Sequence, residues 1–275
     1  MAGFYAVYHG PEGIRTIAKR IHNIAAYLEK EISKLGYKQV NVQYFDTLRF
    51  ALPDNVSAQQ VRTVALSKEV NLRYFKNGDV GMSIDETTDL AAVNVLLSIF
   101  GIAAGKDYTK TTDIPESCTI QQPFRRQSTY LTHEVFNRYH TETEMMRYIK
   151  RLDRKDISLA HSMISLGSCT MKLNAAAEML PLSRPEFMNM HPLVPEEQAE
   201  GYRELIHNLS EELKIITGFA GVSLQPNSGA AGEYAGLRVI RAYLENIGQG
   251  HRNKVLIPAS AHGTNPASAV QAGFT

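Results

Sequence analysis

The sequence predicts an α/β protein with a smaller α+β domain ahead of the α/β part. In residues 222–269, a short apolar strand pattern twice leads into small residues and then into a helical pattern. In residues 1–104, a long helical stripe is followed by a strand, a hairpin and further helices. Repeated strand-to-helix junctions favour a parallel sheet covered by helices, whereas helices beside a hairpin are typical of an α+β unit.

The first domain begins with a long helix. Apolar residues recur at three-to-four spacing over 14–35 and stop at Gly36, which predicts a helix with one side facing the core. A strand is then expected at 43–52, followed by a helix at 57–66 that Ser57 opens.

A hairpin follows these elements. Asn77-Gly78 lies between the apolar runs of 72–84, and Asn-Gly is the strongest short-range signal for a hairpin turn. An apolar helix comes next, and we expect Thr87 or Thr88 to cap it. The helices should therefore cover a small, mainly antiparallel sheet.

Residues 105–174 are predicted to be a linker and arm. Hydrophobic periodicity is lost over 105–131, and prolines interrupt this stretch. Thr141 and Glu144 then have the spacing of a capping box, which predicts a short helix.

The first strand-to-helix junction follows a helix that Pro195 opens and Gly218 ends. A strand is expected at 222–224, and the small residues of 228–230 come where the next helix begins. A helix start presents unpaired N–H groups and the positive end of a dipole, which suit a phosphate. In a second interpretation, the small residues only let this helix pack closely on its sheet.

The second junction has a strand pattern at 254–258 followed by His262, Thr264 and Asn265. Successive junctions of a parallel sheet emerge at the carboxyl ends of its strands, so these side chains should share one crevice with 228–230. Neutral polar groups beside a phosphate site indicate a phosphorylated cofactor.

Composition excludes several other classes of protein. The 275 residues carry 29 basic and 28 acidic side chains, a balance that offers no general attraction for nucleic acid or an anionic membrane. The most apolar segment, 90–104, is shorter than the ~20 residues that span a bilayer, and no targeting segment is recognisable. Cys118 and Cys169 fit a reducing compartment, and no metal-ligand spacing occurs, so we expect no metal.

Three motifs together resemble one family. The segments 225–237, 260–269 and 167–174 are similar to the signatures of the glycine cleavage system P-protein, and further similarity covers essentially the whole chain. The resemblance implies an aspartate-aminotransferase-like fold (type I) that binds pyridoxal 5'-phosphate, with two homologous halves.

On this resemblance the chain divides into three parts. Residues 1–104 would be the C-terminal small domain of the first half, and 105–174 the linker and arm. Residues 175–275 would begin the cofactor-binding large domain of the second half, which is therefore incomplete in this chain.

The resemblance also implies which residues meet the cofactor. Ser228, Gly229 and Ala230 correspond to the phosphate-binding turn, His262 to the imidazole that stacks on the cofactor ring, and Thr264 to a further cofactor contact. The Schiff-base lysine and the acidic partner of the ring nitrogen are expected beyond Thr275. The catalytic residues are therefore unknown, and we expect the chain alone not to catalyse the family reaction.

Five further residues are candidates for the substrate pocket: Ser168, Thr170, Lys172, His191 and Asn265. Lys172 lies inside a family motif but does not match the Schiff-base lysine. The segment around it has an alternative role as a clasp between the two halves, and His191 has an alternative role as a structural histidine.

The activity implied is decarboxylation of glycine, with transfer of the aminomethyl group to the lipoyl arm of the H-protein. Such a protein would be a homodimer or a heteromer of two halves, cytoplasmic in bacteria and mitochondrial in eukaryotes. Alternatives are another enzyme of the same fold, either an aminotransferase or a cysteine desulfurase, and a non-catalytic pairing subunit.

Overall fold

A computed structural model describes residues 1–117, 119–155 and 175–275. It is a mixed α/β structure of two compact units that meet in sequence between positions 156 and 157. The domain boundaries predicted at 104/105 and 174/175 stay predictions.

The first unit contains four helices and a small sheet among its described residues. Its elements are α1 (Ala2–Lys34), β1 (Lys38–Gln39), β2 (Thr47–Ala51), α2 (Ala58–Ser67), β3 (Arg73–Tyr74), β4 (Val80–Ser83), α3 (Leu90–Ala104), a 3₁₀ turn (Glu134–Asn137) and α4 (Glu142–Asp153).

The sheet is antiparallel throughout, in the order β1-β2-β4-β3. Leu48 pairs with Met82 and Phe50 with Val80, so four buried side chains lie on one face. Helices α1 and α3 pack into the same core, where the Phe50 and Phe100 rings are 5.8 Å apart. The predicted helix-covered antiparallel sheet is confirmed.

Helix α1 begins earlier than its sequence pattern predicts. Gly10 has φ 63°, and Pro11 lacks an N–H group, so the helix kinks there and continues on both sides. Two carbonyls beside the kink accept hydrogen bonds from outside the helix. His140 Nδ1 donates to Tyr8 O over 2.7 Å, and the Tyr130 hydroxyl donates to Pro11 O over 2.7 Å.

The described residues of 105–140, here called the arm, run antiparallel along α1. Near its start, Lys106 Nζ donates to Leu35 O over 2.7 Å. Further on, Thr119 N donates to Nε2 of the buried His22 over 3.1 Å. The arm ends beside the kink through His140. The arm therefore contacts α1 along most of its length.

Local signals predicted the starts of α2 and α4 correctly, whereas Pro195 precedes a 3₁₀ turn and the helix predicted to open there begins at Glu200. Ser57 and Gln60 form a capping box at α2, and Thr141 Oγ1 accepts from Glu144 N at α4. For α3 the prediction was wrong, because the N-cap is Asp89, which accepts from Ala92 N over 2.8 Å.

Helices make up the regular structure described in the second unit. They are α5 (Ala176–Met179), α6 (Pro185–Met188), α7 (Glu200–Thr217), α8 (Gly229–Asn246) and α9 (Thr264–Gln271), with 3₁₀ turns at Leu180–Ser183 and Glu196–Gln198. Helices α8 and α9 pack on a small core of Leu244, Ala269, Ala272 and Phe274.

The strands predicted at 222–224 and 254–258 do not form in the structure of this chain. A strand is stabilised by its neighbours, and the described residues supply very little pairing to either segment. Thr275 N donates to Asn253 O over 2.7 Å, and Val255 N donates to Thr275 O over 3.1 Å. This bonding pattern around Lys254 is that of a parallel pair, so the direction predicted for the sheet is present at one position.

Among the described residues, no helix is both long enough and apolar enough to cross a membrane.

We predict that Tyr37→Phe lowers stability at neutral pH by about 1 kcal/mol, because the buried hydroxyl donates to Phe100 O over 2.9 Å. Burial raises the pKa of Tyr37 to about 12 from 10.0. The stabilising contribution of the neutral phenol is thus complete below pH 10 and is lost as pH rises towards 12. Urea unfolding should show the difference between variant and parent shrinking over that interval. A difference independent of pH would contradict this.

We predict that Gly10→Ala destabilises the chain by roughly 1–3 kcal/mol. A Cβ atom there would lie 2.7 Å from Phe136 O and 2.8 Å from His140 Cε1, and φ is positive. Gly3→Ala is the matched control, because a Cβ atom at Gly3 has nothing within 4 Å. Equal urea midpoints for the two variants would show that the kink does not require glycine.

Candidate functional site

The start of α8 has the geometry of an anion site. Ser228 is the N-cap, and its Oγ accepts from Ala231 N over 3.1 Å. Gly232 N donates to Ser228 O over 3.0 Å. Among the described residues, no acceptor is bonded to the N–H groups of Gly229 and Ala230. Two free amides and the Ser228 O–H are thus available at the positive end of the helix dipole.

The second loop leads into α9. His262 and Thr264 are exposed, whereas Asn265 is partly buried. Ala261 N donates to Pro258 O over 2.9 Å and Asn265 N donates to His262 O over 3.2 Å, which folds the loop back before the helix. The exposed imidazole is therefore held on a turn of defined shape.

A cleft of about 410 Å³ lies in the first unit, and a more apolar cleft of about 560 Å³ lies in the second. The second cleft, called the α8 cleft below, separates α8 from the segment 255–258. Its lining includes Gly232 and Gly236 on α8 and Ala261 and Asn265 from the second loop. The structure therefore brings Asn265 close to the first turns of α8.

The predicted cofactor residues do not line that cleft. Ser228, Gly229 and Ala230 lie at the helix start before it, and His262 and Thr264 flank the lining residues Ala261 and Asn265 in sequence. Their convergence around one ligand stays a prediction.

The substrate-pocket candidates have different outcomes. Ser168, Thr170 and Lys172 lie outside the described residues. His191 is exposed, and its Nδ1 accepts from Leu193 N over 3.0 Å, which is a local structural bond. Of the five candidates, Asn265 lines the α8 cleft.

Sequence reasoning gave no role to Glu233. Its Oε2 atom is buried at the α8 cleft and has no hydrogen-bond partner among the described residues. A buried carboxylate oxygen without a donor costs roughly 1–3 kcal/mol or more. The only sequence signal was its place between Gly232 and Gly236, whose spacing puts the two glycines on one helix face.

Two kinds of catalytic group were not found at this site. No lysine is among the described residues that line the α8 cleft. Within the described ranges, no group of three His, Cys, Asp or Glu side chains is arranged to hold a metal ion.

Comparison with known proteins relates the chain to one family. Residues 1–100 match the family described as Glycine cleavage system P-protein. Over all 275 residues, the chain is 83% identical to a glycine dehydrogenase (decarboxylating) of Bacteroides fragilis strain YCH46.

Residues 1–100 thus carry a domain of the glycine cleavage system P-protein family, and the whole chain is similar to part of the glycine dehydrogenases (decarboxylating). It is also 53% identical to a glycine dehydrogenase (decarboxylating) of Christiangramia forsetii, with all of the chain covered. A putative glycine dehydrogenase (decarboxylating), mitochondrial, of Schizosaccharomyces pombe is 51% identical, again with the whole chain covered. The chain spans 29% of the length of the Bacteroides protein and 28% of the other two.

We predict that Ser228→Ala costs about 1 kcal/mol of stability in α8, because the Ala231 amide loses its cap. Amide hydrogen exchange in the first turn of α8 should accelerate. Ser210→Ala is the matched control, since that hydroxyl only donates to Ile206 O within α7. An unchanged rate of amide hydrogen exchange at Ala231 would show that the Ser228 side chain does not cap α8.

Proposed function

We propose that this chain is part of a pyridoxal-phosphate-dependent glycine decarboxylase. The complete protein would release carbon dioxide from glycine and pass the remaining aminomethyl group to the lipoyl arm of the H-protein. The observation that carries the proposal is the start of α8, where two free backbone amides and a capping serine occur in a chain that carries a P-protein family domain.

The residues present fit the phosphate group of the cofactor. Gly229 and Ala230 would donate through their amides, and the Ser228 hydroxyl would donate while its oxygen still caps Ala231. Glycine and alanine leave the backbone open to close approach. The second interpretation, that these residues serve only close packing, is disfavoured because Gly229 and Ala230 are exposed.

The rest of the second loop would position the ring and the substrate. His262 and Thr264 are exposed on either side of Gly263, in a turn that follows the residues of the α8 cleft. We assign His262 to the face of the cofactor ring and Asn265 to a polar contact in the cleft. When bound, pyridoxal phosphate would accept the electron pair released as carbon dioxide leaves.

The chain's own residues contribute binding and orientation in this proposal. The apolar lining of the α8 cleft, which includes Leu237, Ile240 and Val255, would exclude water beside the reacting carbon. Glu233 Oε2 has no donor among the described residues, so it is available to accept one from water, from a ligand or from another part of the complete protein. A Schiff-base lysine is required from outside the described part of the cleft.

The proposal is tested by following labelled carbon dioxide from carboxyl-labelled glycine. The complete gene product, given pyridoxal phosphate and lipoylated H-protein, should release it, and omission of the carrier should abolish sustained turnover. Transamination of glycine without the carrier would favour an aminotransferase instead.

A pair of variants tests the anion site. Ala230→Asp places a carboxylate beside the free amides and should weaken cofactor binding by about tenfold or more, while an acid in the first turn still favours the helix. Ala230→Asn is similar in size and uncharged, and should bind nearly as the parent does. Equal cofactor affinities for the two variants would show that the phosphate does not bind at the start of α8.

A further inference from the structure

We propose that Asn77-Gly78 is a latent site of spontaneous deamidation. The β3–β4 hairpin suppresses this reaction, and the deamidated product would release Asp79 from Arg49. Asn77-Gly78 is the one Asn-Gly pair in the sequence. Glycine leaves the backbone nitrogen after an asparagine unhindered, and asparagine is among the thermolabile residues of proteins.

The reaction is internal to the turn. The backbone nitrogen of Gly78 attacks Cγ of Asn77 and forms a cyclic imide, and the bond from Cγ to Nδ2 breaks. The amide proton and Nδ2 leave as ammonia. Water then opens the imide at either carbonyl, which yields aspartate or isoaspartate at position 77. The net change is addition of one water and loss of one ammonia.

The hairpin holds both reacting groups away from this path. Gly78 N donates to Phe75 O over 3.0 Å, so the attacking nitrogen is engaged in the turn. Asn77 Nδ2 donates to Asp79 Oδ2 over 2.9 Å. In return, Asp79 N donates to Asn77 Oδ1 over 3.4 Å. Gly78 has φ 91°, as expected for the left-handed residue of a three-residue hairpin loop.

The same contacts make the product disruptive. Asp79 is buried, and its Oδ2 also accepts from Arg49 Nε over 2.7 Å. The Arg49 guanidinium lies 4.2 Å from the centre of the Phe75 ring, so the ion pair connects the turn to β2. Conversion of the Asn77 amide to a carboxylate would replace a donor by a second anion facing the carboxylate of Asp79. The hairpin would then lose the link that joins its turn to the sheet.

The first experiment measures deamidation by peptide mass spectrometry of the 275-residue chain at mildly alkaline pH. Conversion at position 77 should be at least about tenfold slower in the native chain than in urea, because it requires local opening. Arg49→Met should accelerate conversion in buffer. Arg73→Met is the matched control, since Arg73 also lies over the Phe75 ring, at 5.7 Å, but makes no bond to Asp79. Equal native and unfolded rates, or equal rates in the two variants, would overturn the proposal.

The second experiment measures the effect of the product and does not depend on the folding of the arginine variants. Asn77→Asp mimics one product, and Asn77→Ser removes the amide without adding charge. Asn77→Asp should unfold at a lower temperature than Asn77→Ser, and Asp79→Asn in both backgrounds should remove that difference. Equal unfolding temperatures for the first two variants would refute the predicted repulsion.

Discussion

The first unit depends on the long helix α1, which contacts the sheet, α3 and the arm. Its 33 residues extend about 50 Å, and its buried side packs on the sheet and α3. The arm follows the helix in the opposite direction and bonds to His22 and to the carbonyls at the Gly10 kink. Because these are buried or backbone groups, leaving them without partners would be costly, so the arm and the helix stabilise one another.

In the second unit, helices form although the predicted strands do not. Helices α8 and α9 form and pack together, since each helix satisfies its own backbone. The segments on either side of α8 do not form ladders, and Thr275 supplies one parallel pairing. Helix α7 has a strong apolar stripe yet buries none of its residues. An exposed apolar stripe of this kind is typical of a surface that binds another protein segment.

The candidate site has one part that depends on local structure and another that depends on packing. A helix start forms locally, so the free amides of Gly229 and Ala230 are present although no strand forms beside α8. In the predicted parallel sheet, the positions of His262 and Thr264 relative to those amides would depend on strand pairing, because the loops would emerge from strand ends. The anion-binding part of the proposed function therefore rests on local geometry, and the ring and substrate contacts rest on packing.

The sequence by itself determined the elements whose signals are local. The Asn77-Gly78 hairpin, the Ser57 cap and the start of α8 at Gly229 all depend on turn or capping chemistry within a few residues. Only the tertiary structure decided that α1 continues through Gly10 and that the arm lies along it. It also revealed the buried Glu233 oxygen and the pairing of Lys254 with Thr275. These features depend on groups distant in sequence, whose contacts a periodic pattern does not encode.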